Sequence, residues 1–181
     1  MPARLMVFAV MLSALMAMLG CVSIDSRALS ETVDKAATRK MAGEFSNLAS
    51  YFSSGEFVGR NNLAELLRVF PAKNAGRVRV SVMPDDSLRL TWYSGDREVA
   101  TRTYDAKSGL KIAQDGAFEI QVDGKWASGE GAAGYQSLYA RLFLNSKGEL
   151  CAVQSGGGGG LVGPFPIGIY ARHLSVFARL Q

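Results

Sequence analysis

Two hydrophobic periods divide this chain. Between Leu29 and Phe52 the apolar residues Leu29, Val33, Ala36, Ala37, Met41, Phe45, Leu48 and Phe52 recur at the spacing of one helix face. Gly43 interrupts the stripe at about 1 kcal/mol relative to alanine, which marks a place for a break. A second, shorter helix is expected after Asn62. Asn62 can cap it and Glu65 stands at the third position of a capping box. Leu63, Leu66, Leu67 and Phe70 line one side, and Pro71 ends it. From Arg77 the period falls to 2: Val78, Val80 and Val82 alternate with Arg77, Arg79 and Ser81, and Leu88, Leu90 and Trp92 with Arg89, Thr91 and Tyr93.

Turn signals follow at short intervals: PDD, SGD, DAKSG, Asp115-Gly116, Asp123-Gly124, SGEGAAG and NSKG. Asp-Gly accepts positive φ cheaply, so Asp123-Gly124 reads as a hairpin turn. The expected fold class is therefore mainly β (α+β). N-terminal helices over 29–71 precede an antiparallel β-meander of about eight strands over 77–181, in a single domain spanning 29–181. Such a meander either closes into a lipocalin-like up-and-down barrel, with the helices over one end, or stays a strongly curved sheet. Strands such as RVRVSV fall short of the roughly 9–11 residues a membrane strand needs, which argues against a transmembrane barrel.

The N-terminus sets an address. Arg4 precedes an uncharged run from Leu5 to Leu19. As a helix it covers roughly 22 Å, short of a hydrocarbon core of roughly 30 Å. A basic start, a short apolar middle and a small residue at its end are the parts of a cleavable signal. The four residues Met18-Leu19-Gly20-Cys21 resemble the lipobox of bacterial lipoproteins; Met18 and Leu19 are bulkier than that pattern usually has. The resemblance covers about 21 residues and implies cleavage between Gly20 and Cys21, with residues 1–20 removed. It also implies acylation of Cys21. Two or more acyl chains make an effectively permanent anchor. Residues 21–28 are then an acylated tether of roughly 26 Å at about 3.3 Å per residue. Val22 and Ser23 follow the cysteine where inner-membrane retention uses Asp. The resemblance therefore implies the outer membrane, periplasmic face, rather than the inner membrane.

Removal of residues 1–20 takes one of the 20 Lys and Arg, leaving 19 against 16 acids, a net charge of +3 on 161 residues. No basic run of the kind that tracks nucleic acid is present, and a periplasmic address removes that partner. With Cys21 acylated, no second cysteine remains to form an internal disulfide with Cys151, which reads as a buried thiol or as a bridge to another chain. Its faces are set by alternation: Leu150 and Ala152 on one side, Cys151 and Val153 on the other. The single histidine, His173, makes no dyad with it by sequence. Metal-ligand spacing is missing, so neither a metal nor another cofactor is expected. Asp85, Asp86, Asp96, Asp105, Asp115 and Asp123 all read as turn residues.

Five consecutive glycines, Gly156 to Gly160, lack the GK[ST] ending of a phosphate loop. They read as a flexible connection, or as a hinge for an apolar loop (Leu161, Val162, Phe165) that touches a partner or the membrane. Three classes of function remain. A non-enzymatic binding or scaffold module with an envelope partner leads. A lipocalin-like carrier of a small apolar ligand or lipid is the alternative. An enzyme is least supported, because no catalytic constellation can be named.

Overall fold

The computed structural model describes residues 21–24, 31–53, 61–129, 132–162 and 165–180. In chain order they form β1 (Cys21–Ile24), α1 (Lys35–Arg39), β2 (Ala42–Ser46), β3 (Tyr51–Phe52), α2 (Leu63–Leu66) and a 3-10 turn (Phe70–Ala72). Then come β4 (Arg77–Val82), β5 (Leu88–Ser94), β6 (Arg97–Tyr104), a 3-10 turn (Ala106–Ser108) and β7 (Leu110–Ile112). The last four strands are long: β8 (Phe118–Gly129), β9 (Ala132–Leu144), β10 (Leu150–Val162) and β11 (Phe165–Phe177).

The chain is mainly β, in two sheets. The smaller has the order β2-β4-β5-β6, and the larger β1-β11-β10-β9-β8-β7 with β3 also on β11. Every ladder is antiparallel except β1 on β11. The meander has its expected eight strands, β4 to β11, but it does not close into a barrel. β6 and β7 are edges of different sheets. Between them Asp105 caps the 3-10 turn reciprocally with Ser108, and Gly109 (φ 85°) redirects the chain. On the opposite side the sheets are joined. Ser46 N–H donates to Ala178 and Leu180 N–H to Glu44, so the end of the chain continues β11 alongside β2.

One core serves both sheets. Val78, Val80, Leu88, Leu90 and Trp92 meet Phe118, Ile120, Leu142, Leu150 and Phe177, with Leu63, Leu66 and Leu67 of the α2 segment closing one side. Strand alternation puts them there: in β4 and β5 the apolar set is inward while Arg79 and Arg89 are exposed.

The helical reading of 29–71 is corrected. Leu29 lies outside the described residues, and α1 is a five-residue helix capped by Asp34. Met41 and Phe45 belong to an extended segment. A spacing of four satisfies a strand face as well as a helix face, and pairing of Ala42–Ser46 with β4 selects the strand. The second helix keeps its predicted cap, since Asn62 Oδ1 accepts Glu65 N–H at 3.2 Å. It stops earlier than Pro71, at Leu67, because Arg68 turns left-handed (φ 59°); Phe70 is exposed rather than packed.

Two turn readings are corrected in the C-terminal half. β8 runs through Asp123-Gly124 with only a register shift between Gln121 and Asp123. SGEGAAG does hold the connection between β8 and β9, with strand up to Gly129 and again from Ala132; residues 130–131 lie outside the described set. The five glycines are not a connection: each lies in β10, laddered to β9 on one side and β11 on the other. Ladders on both sides supply the order that glycine does not supply locally. At 12–13 residues β8 to β11 also exceed the length of a membrane strand, so the argument from RVRVSV does not reach them.

Candidate functional site: a two-arginine trough over β10

The tripeptide Tyr-Ala-Arg occurs twice, as Tyr139-Ala140-Arg141 in β9 and Tyr170-Ala171-Arg172 in β11. These strands flank β10 and run the same way. Their register gives three successive rows on one face: Glu119–Arg141–Val153–Leu174, Gln121–Tyr139–Ser155–Arg172, and Gly124–Ser137–Gly157–Tyr170. Ala140 and Ala171 point the other way and are buried. Along β10 this face shrinks from Val153 to Ser155 to Gly157. The middle strand becomes a floor between walls of Tyr and Arg. Glu119, Tyr139, Arg141, Val153, Ser155 and Arg172, with Tyr170 at the far end, enclose an open depression of about 290 Å³.

The inner end of the trough is closed by apolar packing. Ala117, Phe143, Cys151, Val153, Leu174 and Val176 form a second cluster beneath Val33 and Tyr51. The trough opens where that cover stops; Tyr139 and Tyr170 are 44% and 41% exposed.

Charge in the trough is uneven. Arg141 is ion-paired through Nη2 with Asp115 at the β7–β8 turn, and its guanidinium lies 5.9 Å from the Phe143 ring centroid. Burial lowers its pKa from the ordinary arginine value, and the nearby Arg172 charge adds to the effect. The Nε atoms of Arg141 and Arg172 are both buried and have no hydrogen-bond acceptor among the described residues. Such groups are normally satisfied.

The residues singled out by sequence fall elsewhere. Cys21 begins β1 as the register partner of Ile169, so residues 21–24 pair with β11. Gly20 lies outside the described residues. Leu161 and Val162 end β10, and Phe165 starts β11 opposite Val162, at the tip of that hairpin. Cys151 is fully buried in the second cluster, so the packed-thiol reading describes it and a bridge to another chain has no access. His173 pairs in register with Gln154 on the opposite face, and its Nδ1 lies 3.1 Å from Ser53 Oγ. The two do not form a dyad. Among the described residues no three His, Cys, Asp or Glu side chains come together as a metal site.

No protein-family model matches this chain, and no curated protein does.

Proposed function

We propose that this protein is a lipid-anchored envelope protein, a non-enzymatic binding module held by acylated Cys21 at the periplasmic face of the outer membrane. The single observation that supports it is the lipobox-like Met18-Leu19-Gly20-Cys21, and the register of β1 says where an anchor there leaves the domain. Cys21 lies beside Ile169, and the strand leads back from Ile24 toward the β10–β11 tip. An anchor on Cys21 therefore leaves the domain at the end where both long hairpins finish, Gly129 beside Ala132 and Val162 beside Phe165. From Ile169 to Phe165 is four residues, about 13 Å at roughly 3.3 Å each. The tips reach the membrane interface in this arrangement, and Leu161, Val162 and Phe165 are its contacts. The Tyr-Arg trough, on the adjoining face, is the module's binding site.

The carrier alternative has less support. The space between the sheets is filled by Phe45, Trp92, Phe118 and Phe177, all fully buried.

Cys21→Ser tests the anchor. The variant is expected to lose acyl labelling and to appear in the soluble periplasmic fraction. Unchanged labelling overturns the reading.

A further inference from the structure

We propose that the trough over β10 binds a zwitterionic phosphoester, a phosphate carrying a short ammonium arm, either as a soluble molecule or as the head of a membrane lipid. The inference rests on the binding-module reading and gives that module's site its ligand chemistry.

The phosphate end follows from the two arginines. Arg141 and Arg172 stand on opposite walls of the same floor, and each has a buried Nε–H without an acceptor. Both arginine side chains line the depression, and guanidinium groups pair best with a phosphate, which takes forked hydrogen bonds. Ser155 lies between them in register with Arg172, where a hydroxyl can add a further donor. A phosphate there also separates two like charges.

The ammonium end follows from what else lines the site. Glu119 is the register partner of Arg141, and it puts a carboxylate on the same wall. Asp115 already engages Arg141. Counting Lys111 beside Glu119, three cations stand with two carboxylates, a mixture that suits a ligand with both signs. Lys111, the register partner of Glu119 on β7, is exposed at the rim. The exposed rings of Tyr139 and Tyr170 offer faces to a cation. At the roughly 30 Å³ a liquid water molecule occupies, about 290 Å³ admits about ten non-hydrogen atoms, the size of such a headgroup.

Position favours the membrane as source. Tyr170 is one residue along β11 from the Cys21 partner Ile169, and Arg172 is three. At about 3.3 Å per residue the site lies within roughly 10 Å of the level at which the anchor's own glycerol enters the headgroup layer. Val153 and Ser155 of β10 provide the floor.

The test uses the acylated mature protein in a sugar-headed detergent, which has neither phosphate nor ammonium. Calorimetric titrations compare phosphoethanolamine, short-chain phosphatidylethanolamine, glycerol 3-phosphate and inorganic phosphate. Saturable binding of the first two is expected, weakened at least tenfold by Arg172→Gln and less by Arg172→Lys. Glu119→Gln is expected to abolish the preference for phosphoethanolamine over glycerol 3-phosphate, weakening the former without weakening the latter. Tighter binding of the lipid than of phosphoethanolamine assigns the site to membrane lipid, and equal binding assigns it to a soluble ligand. Circular dichroism of each variant separates lost binding from lost folding, and Tyr170→Ala, at an exposed residue, serves if Arg172 variants unfold. Absence of saturable binding to wild-type protein overturns the inference, as does a wild type that takes inorganic phosphate equally well and ignores Glu119→Gln. Acyl labelling at Cys21 is read independently, so a labelled protein that binds none of the probes sinks the ligand assignment alone.

Discussion

Trp92 donates its indole N–H to Asn47 Oδ1 at 3.1 Å, across 45 residues and in the middle of the core. The same oxygen accepts Ala64 N–H at 3.1 Å, and the amide nitrogen lies within 3.3 Å of Asn62 Oδ1 and the carbonyls of Ala72 and Ala75. One fully buried side chain thus fastens the α2 cap, the turn after it and the centre of β5. Asn47→Ala leaves several of these groups unsatisfied and is expected to cost about 3 kcal/mol. Trp92→Phe removes one donor and some volume, at about 1–3 kcal/mol. Urea midpoints check both; a loss below 1 kcal/mol for Asn47→Ala would count against the network's importance.

Tyr104 gives the fold an alkaline limit. Its hydroxyl is buried without a hydrogen-bond partner among the described residues, and burial pushes its pKa up to about 12 against the opposing charge of Arg102. The fold prefers the neutral phenol. That contribution is fully present below the unfolded tyrosine value near 10 and is lost as pH rises from about 10 to 12, about 2–3 kcal/mol in all. Tyr104→Phe is expected to remove this part of the alkaline loss and to equal or exceed the parent at pH 7 by about 1 kcal/mol. An unchanged alkaline limb in pH-dependent unfolding contradicts the assignment.

The joint between the sheets depends on Arg179. Its Nη2 donates to Ala42 carbonyl at 2.7 Å, and a Cβ on Gly43 would meet that same nitrogen at 3.0 Å. Gly43 also holds a φ of 157° that side chains rarely adopt. Gly43→Ala is therefore expected to destabilise by about 1–2 kcal/mol, and Arg179→Ala by about 1 kcal/mol. Hydrogen exchange should speed up selectively at Ser46 and Leu180 in both variants. Uniform exchange rates would place the joint elsewhere.

Replacing Leu161, Val162 and Phe165 together by Ser tests the tip contact. In a Cys21→Ser background the triple variant should co-sediment with phospholipid vesicles several-fold less than its parent, with the β spectrum unchanged. Equal sedimentation removes the tips from the membrane.

The legible part of this sequence was the part where one local rule acted alone. Period-2 alternation in β4 and β5 and the Asn62 cap were read correctly because nothing competed with them. Met41 and Phe45 were misread because their spacing fits both periods, and only the partner strand β4 decides. Asp123-Gly124 and Gly156 to Gly160 carry strong turn and linker signals. They lie in strands because ladders with β9 and β11 override local preference. The trough was visible only as two Tyr-Ala-Arg triplets, 31 positions apart. Their meaning depends on a register that puts Tyr139 and Arg172 on either side of Ser155.

The last strand of the chain is the one its first strands need. β1 and β3 pair with β11 and β2 joins its continuation, so Ser50, for instance, bonds Val176 across 126 residues. Contacts of such separation form slowly and late. A chain delivered N-terminus first cannot complete the β1 edge of its large sheet until its final residues emerge, whereas the β7 edge pairs locally with β8. The β1–β11 edge is therefore the last part of that sheet to lock.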